Sequence, residues 1–228
     1  MSQLSLVSQP VPPSVDGIDL RCCGVDEILD EVRGAALVHA DPPWVYSQNP
    51  GDANPIDAGI YECLSMADIV RHLDRARDCV ARSARMVCWY TWPTAAEWRA
   101  AGMAGPRWGP ETSGGAWLKT GQVGVGYHWR GATEPIAMFT HGATGRPHEL
   151  LLNGFASPPG IHSEKPVEWL RQMVRAWTKP GDLVLDLYAG MAPMARACAL
   201  EGRRYVGAEI DAERHRAALD RLALRGAS

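Results

Sequence analysis

Four residues, Asp41-Pro42-Pro43-Trp44, follow the apolar run Ala35-Ala36-Leu37-Val38-His39-Ala40, which reads as the end of a buried strand. An acid, two prolines and an aromatic at the carboxyl end of a strand form a compact acceptor site for an exocyclic amine, such as the one adenine carries at N6. That amine is a poor nucleophile because its lone pair is delocalised into the ring. Two acceptors aimed at its hydrogens favour a pyramidal nitrogen, whose lone pair then points out of the plane toward an electrophile. Prolines suit the task, since they fix φ and have no N–H, so only carbonyls face the amine. Holding the nitrogen in line with a sulfonium methyl supplies orientation, which is most of what such a transfer needs. Taken alone, the tetrapeptide fits an ordinary proline turn after a strand equally well.

A second candidate lies far downstream. Asp186-Leu187-Tyr188-Ala189-Gly190 ends a strand and turns into a helix, the place where open α/β sheets bind nucleotides. Glu209 ends the next strand, and an ionised carboxylate there can accept from both ribose hydroxyls of an adenosine ligand. Met191, Ala192 and Pro193 depart from a GxGxxG pattern, which argues against a pyrophosphate-binding turn and against NAD. The turn is tolerable for a ligand without phosphate, such as S-adenosylmethionine; a plain strand–turn–helix with a structural glycine is the competing account. Between the two sites, Lys165-Pro166 opens a helix and places a cation beside the second strand, although proline at a first helical turn is common in itself.

The elements that must position these residues alternate between α and β with no internal repeat. Cys22 to Val32 reads as a turn into a short helix, Leu37 to Ala40 as a strand, and Val45 to Gly59 as a polar loop. Ser65 to Arg85 reads as a helix, with Ser65 and Asp68 as a capping box and Ile69, Leu73, Ala76 and Val80 on one face. Met86 to Tyr90 is an apolar strand, Thr94 to Ala101 a helix opened by Pro93, and Ala116 to Lys119 and Pro135 to Thr140 are strands. The second half is more regular: helix Pro166 to Thr178, strand Asp182 to Leu187, helix Pro193 to Glu201, strand Arg204 to Ile210, helix Ala212 to Leu224. Strand, helix, strand, helix at these lengths implies parallel pairing and a doubly wound sheet.

Composition bounds the function without deciding it. The 228 residues suit one α/β domain, expected over 19–228 behind a loose, proline-containing tail over 1–18. Hydrophobic content of 46% and charged content of 21% are ordinary globular values. A net charge of −3 gives no global basic footprint for nucleic acid, which leaves room only for a local basic cleft. The six cysteines have no CxxC spacing and no metal-ligand pattern, so no metal is expected and reduced, largely buried thiols of a cytoplasmic protein are. No apolar run approaches the length needed to span a bilayer, and the amino terminus lacks the features of a signal peptide.

Motifs in order carry a resemblance: Asp41-Pro42-Pro43-Trp44 with Tyr46, Tyr61 and Leu64-Ser65-Met66, Trp117-Leu118-Lys119-Thr120, Gly126-Tyr127 with Arg130 and Glu134, and His162-Ser163-Glu164-Lys165-Pro166. The chain resembles the DPPW-type N6-adenine methyltransferase family. From Lys165 through Gly190 to Gly207-Ala208-Glu209-Ile210-Asp211 it is similar to the β-class DNA amino-methyltransferases, in which the catalytic motif also precedes the cofactor motif. The resemblance covers residues 20–215. It implies a Rossmann-like methyltransferase sheet, mostly parallel with one antiparallel strand, and S-adenosylmethionine as cofactor. By position, Asp41 and the Pro42 carbonyl, with Pro43, would hold the target amine and Trp44 would stack on a flipped base. Lys165 would meet the methionine carboxylate, Asp186 to Gly190 would line the cofactor turn, and Glu209 with Ile210 would hold its adenosine. Cys23 and Gly24 fall where the family makes backbone contacts to the cofactor adenine. Tyr46, Lys119, Tyr127, Arg130 and His162 would contact substrate. Two departures stand out: Met191-Ala192-Pro193 replaces the β-class Ser-Gly-Thr, and Glu164 stands where the DPPW family often has a basic residue.

Substrate choice is the less constrained part of the reading. The segment from His141 to Gly160, with Arg146, His148 and Asn153, is short for a recognition domain. Specificity would rest on it, on Arg107 to Arg130 and on a possible homodimer partner. Trp108, Trp117, Tyr127 and Trp129 could stack on bases, with core packing the better account for most. Arg214, Arg221 and Arg225 share a face of the last helix and could touch phosphates, a solvated face being the plainer account. The expected activity is methyl transfer to adenine N6, in DNA rather than RNA. Cytosine N4 methylation and a catalytically silent nucleic-acid-binding subunit are the alternatives.

Overall fold

The computed structural model describes residues 16–44, 64–121, 131–158 and 164–223. Its strands are β1 (Ile18–Cys22), β2 (Ala35–Ala40), β3 (Val80–Trp89), β4 (Ser113–Lys119), β5 (Thr133–His141), β6 (Gly154–Ser157), β7 (Leu183–Asp186) and β8 (Arg204–Glu209). Its helices are α1 (Val25–Glu31), α2 (Met66–Arg75), α3 (Ala95–Ala100), α4 (Val167–Trp177), α5 (Pro193–Glu201) and α6 (Ala212–Ala223). The strands form one sheet in the order β1-β8-β7-β2-β3-β5-β4-β6. Only β5 runs against the rest, antiparallel to both β3 and β4, while every other neighbouring pair is parallel.

Alternation along the strands decides which face each side chain meets. Ile28 and Leu29 of α1, Ile69 and Leu73 of α2 and Trp98 of α3 bury one face together with Val38, Ala40, Met86 and Cys88. On the other face Trp169, Leu170 and Met173 of α4, Ala195 and Cys198 of α5 and Ala218 of α6 pack on Leu37, Val87, Trp89 and Val184. With helices on both sides, β2 and β7 read as nearly unbroken apolar runs. His39 and Asp186 are the polar exceptions, both buried.

The helices begin and end where local chemistry says they should. Ser65 caps α2, its hydroxyl accepting from the Asp68 N–H at 3.1 Å, as the capping pattern predicts. Pro193 stands at the first turn of α5, where its missing N–H costs nothing, and Gly202 ends that helix in the left-handed conformation.

Two expectations about elements fail. The helix predicted from Ser65 to Arg85 stops at Arg75, passes through a 3-10 turn over Ala76–Cys79 and continues as β3 from Val80. Val80 fits the helical stripe by spacing, but pairing with Ala35 in β2 extends the strand back to it. Tertiary pairing overrides a local pattern here. Strands β1 and β6 lie at the two sheet edges and are short; β1 alternates Ile18, Leu20 and Cys22 with Asp19 and Arg21, a signal the expected tail boundary cuts through. Ile18, placed in the expected tail, is the first residue of β1 and is buried.

Candidate active site

The chain leaves β2 toward β3 on one side and leaves β7 toward β8 on the other, although β2 and β7 are hydrogen-bonded neighbours. A doubly wound sheet opens its ligand crevice at such a switch point, beyond the carboxyl ends of the strands. Asp41 follows the last residue of β2, and Asp186 is the last residue of β7. The two sequence-predicted sites are thereby brought side by side.

Asp41 is half-buried, and its Oδ2 lies 2.8 Å from Lys165 Nζ. The same ammonium lies 3.0 Å from Glu134 Oε2 and sits over the Trp89 ring, 5.0 Å from its centroid. Glu134 is also paired with Lys119, whose ammonium lies over Trp117. Burial pushes the Glu134 carboxyl up, but Lys165 and Lys119 outweigh it and hold the group below the usual range. A carboxylate has two acceptor oxygens, so Asp41 keeps acceptor capacity beyond its Lys165 contact. The Pro42 carbonyl accepts the Trp44 N–H at 2.9 Å and retains a second lone pair. An acceptor pair at the edge of the crevice is therefore present.

Trp44 departs from its expected role. Its ring is 2% exposed, meets Trp98 edge-on at 5.5 Å, and donates from Nε1 to the Trp89 carbonyl at 3.0 Å. An indole committed to the core has no face for an incoming base, so Trp44 fixes the shape of the Asp-Pro-Pro turn instead. Trp108 and Trp117 are also buried, each satisfying its Nε1, on the Leu73 carbonyl and on Ser157 Oγ respectively. Among the described residues the large aromatic that stands exposed is Trp92, 57% open, just past β3 and anchored by its Nε1 on Thr133 Oγ1 at 3.0 Å.

Behind the crevice a buried polar chain spans four strands. Trp89 Nε1 donates to His39 Nε2 at 2.9 Å, which makes that nitrogen an acceptor and leaves the ring proton on Nδ1. His39 Nδ1 then donates to Asp186 Oδ1 at 2.8 Å, and the Tyr205 hydroxyl donates to Asp186 Oδ2 at 3.0 Å. Burial pushes the Tyr205 hydroxyl far above its usual range, which keeps it a donor. Gly207 is register partner to Asp186, and a Cβ there would run into the Tyr205 ring. The glycine is what lets Tyr205 lie across β8 to reach the acid.

Past Asp186 the chain stays pinned to the sheet. Leu187 N–H donates to the His39 carbonyl at 3.0 Å and Ala189 N–H to the Ala208 carbonyl at 2.8 Å. The Tyr188 hydroxyl meets His72 Nδ1 at 2.9 Å, tying the turn to α2. Gly190 and Ala192 both take left-handed backbone conformations. Glu209 Oε2 accepts the Gly190 N–H at 2.9 Å, while Oε1 accepts the Asp211 N–H at 2.9 Å and Arg214 Nη1 at 3.1 Å. Burial raises the Glu209 carboxyl despite these donors. Ile210, next along, is 72% exposed. Cys23 donates its N–H to the Glu209 carbonyl at 3.2 Å, and Gly24 N–H is taken by Glu27, so both stand beside this turn.

The remaining predicted residues divide into three groups. Tyr46, Tyr127, Arg130 and His162 lie outside the described residues, as do Tyr61, Trp129 and Arg225. Glu164 is held by Arg196 at 3.1 Å and Arg221 at 2.8 Å, and Arg214 by Glu209, so arginines 214 and 221 are joined to acids of the same fold and stand neither as a purely solvated face nor as open phosphate contacts. The segment after His141 is fixed to the body: Arg85 donates to the carbonyls of Thr144 and Gly145, His148 N–H to the Ala176 carbonyl, and residues 154–157 pair with β4. Sequence reasoning missed His39, Trp89 and the position of Glu134. A histidine inside an otherwise apolar strand was the available signal for the first. Among the described residues no group of three or more His, Cys, Asp or Glu could hold a metal ion, and no helix is long and apolar enough to cross a membrane.

A family model described as DNA methylase, covering N6 and N4 methyltransferases, matches residues 123–220. The chain is 36% identical over 98 residues to the type II methyltransferase M.XycI of Xanthomonas campestris pv. cyanopsidis, covering 42% of this chain and 31% of that protein. It is 42% identical over 57 residues to the type II methyltransferase M.Cfr9I of Citrobacter freundii, covering 25% of this chain and 19% of that one. The likeness is to DNA methylases and type II methyltransferases, in each case over less than half of this chain. The matched stretches span under a third of either relative. Solved structures agree on the fold over far more of the chain. M1.HpyAVI, in a complex with SAM, superposes with a TM-score of 0.66 at 16% identity, over 90% of this chain and 99% of its own. The cytosine-N4-specific PvuII DNA methyltransferase gives 0.69 at 13% identity, over 90% and 86%. The fold is that of the S-adenosylmethionine-dependent DNA methyltransferases.

Proposed function

We propose that this chain transfers a methyl group from S-adenosylmethionine to the exocyclic N6 amine of adenine in DNA. The observation that carries the reading is the juxtaposition of Asp41-Pro42-Pro43 with the Asp186–Gly190 turn on adjacent parallel strands. One motif offers acceptors for an amine; the other offers a site for a phosphate-free adenosine ligand.

The second site fits S-adenosylmethionine on its own chemistry. Glu209 Oε2 carries one hydrogen bond and can take more, which suits ribose hydroxyls. Ile210 offers an exposed apolar face at the same strand end, where a purine ring would rest. The Gly190 N–H is already given to Glu209, and Pro193 at the start of α5 has none, so the helix start presents little to a phosphate. Lys165, buried beside Asp41 and already paired with it and with Glu134, is the cation that the resemblance would set against the cofactor's carboxylate. When bound, the cofactor supplies an electrophilic methyl on a positively charged sulfur.

The chain's own work is positional. Asp41 Oδ1 and the Pro42 carbonyl would accept the two amine hydrogens, turning the nitrogen lone pair toward the cofactor site. Asp41 need not be a strong base, because the amine acidifies as its new bond forms and can lose a proton to water. A base must leave the stack to reach a crevice of this kind. Trp92, exposed beside β3, is an available aromatic surface.

A second reading is favoured by one specific observation: the cytosine-N4-specific PvuII enzyme shares the fold at a TM-score of 0.69. Cytosine N4 is also a ring-conjugated amine, and the same two acceptors would serve it. Incubation with labelled cofactor and separate DNA and RNA pools, then nucleoside mass spectrometry, tests the proposal. N6-methyladenine in DNA is the expected product. N4-methylcytosine would move the activity to the second reading, methylated RNA would change the polymer, and no methylated nucleoside would remove both readings.

A further inference from the structure

We infer that Glu134 is a positioning residue for Asp41, acting through Lys165. The inference rests on the methyltransfer reading and adds to it a residue on a different part of the sheet. Glu134 lies near the start of β5, the one reversed strand, directly opposite Trp117 of β4. From there its carboxylate reaches two lysines that come from different elements: Lys119 at the end of β4 and Lys165 just ahead of α4. Lys165 in turn reaches Asp41 at 2.8 Å. The four side chains form an alternating row, Lys119, Glu134, Lys165, Asp41, in which every charge adjoins an opposite one.

Burial makes that row restrictive. The Lys165 side chain is 10% exposed, Glu134 16% and Lys119 19%, with Trp89 and Trp117 lying beneath the two ammonium groups. An ammonium taken out of water must keep its hydrogen-bond partners, so Lys165 has little freedom to move while Glu134 is ionised. Asp41 is the most open member, at 32%, and it is paired with the Lys165 ammonium. Its carboxylate orientation is therefore set by the ammonium, and the ammonium's by Glu134. Removing the Glu134 charge would let Lys165 swing fully onto Asp41 and turn the carboxylate away from the amine.

The test is a double-mutant cycle with E134Q and K165M, read as the single-turnover rate of methyl transfer to DNA at saturating cofactor. E134Q alone is expected to slow transfer by about tenfold or more. In the K165M background, adding E134Q is expected to change the rate less than about twofold, because the residue through which it acts is gone. Equal effects of E134Q in both backgrounds would overturn the inference, as would a wild-type rate in E134Q alone. A purely structural role would instead lower the unfolding midpoint and be rescued on cooling; that result also counts against it. Should E134Q fail to fold, E134D keeps the charge and withdraws it by one methylene, and an unchanged rate in E134D with intact folding would again sink the idea. Wild-type protein that methylates no DNA would defeat the methyltransfer reading itself, an outcome separate from any result of the cycle.

Discussion

His39 Nδ1 lies 2.8 Å from Asp186 Oδ1, across 147 residues of sequence, and so joins the strand that carries Asp41 to the strand that leads into the Asp186–Gly190 turn. Both groups are buried, His39 at 2% exposure and Asp186 at 0%. Through Trp89 on one side and Tyr205 on the other, the contact fixes the relative height of the strand ends. An acid with two dedicated donors in the sheet interior is a structural pin, and its neighbours at the crevice inherit that rigidity.

His39→Ala should therefore lower stability by about 3 kcal/mol, combining a lost hydrogen bond to a carboxylate, a stranded Trp89 donor and a small cavity. Urea unfolding followed by far-ultraviolet circular dichroism measures it. A change under about 0.5 kcal/mol would mean that Asp186 finds another partner.

Asp41→Ala should leave S-adenosylmethionine binding within about threefold of wild type and reduce methyl transfer by at least about a hundredfold, the usual scale for losing an oriented polar group aimed at a reacting centre. Calorimetry and a transfer assay separate the two quantities. Activity retained in this variant would remove Asp41 from the mechanism.

Glu209→Ala should weaken S-adenosylmethionine by roughly ten- to a hundredfold, the cost of two charge-assisted hydrogen bonds to a ribose. It also frees the Gly190 and Asp211 N–H groups, so Glu209→Gln is the companion variant that keeps one acceptor. Unaltered affinity in both would place the ribose elsewhere.

Glu134 predicts a pH dependence of stability with a definite sign. Its folded-state carboxyl titrates below the unfolded value, so its contribution is fully present above the ordinary glutamate value of about 4.3 and is lost as pH falls through the lower folded value. Denaturant midpoints measured from about pH 7 to about pH 3 should fall less steeply in Glu134→Gln than in wild type across that window. Parallel curves would show that Glu134 contributes nothing to acid sensitivity. Glu209 works in the opposite sense: its raised carboxyl contributes most when protonated, and that contribution fades as pH rises through the folded value.

Much of the fold was legible because strong local signals agreed with it. Pro193 to Glu201 is the expected helix to the residue, and the strand ends at Asp186 and Glu209 fall within a residue of expectation. Long apolar runs, a proline at a helix start and a glycine at its end leave few alternatives. The Ser65 helix overran for the converse reason. Ala, Arg, Ser and Val over 76–85 suit a helix or a strand, and only β2 alongside decides for the strand.

The sequence by itself determined the chemistry in reach: an acid with two prolines after one strand, and an acid-to-glycine turn with a distal glutamate after another. Residue type fixes which atoms accept and which donate. Tertiary structure alone decided which of them share a site and what state they are in. The strand order puts β2 beside β7, turns the Trp44 ring inward, and assembles Asp41, Lys165, Glu134 and Lys119 from four separate segments. No local pattern encodes those contacts, because buried charges choose partners by proximity across the sheet, and proximity is a property of the packed chain.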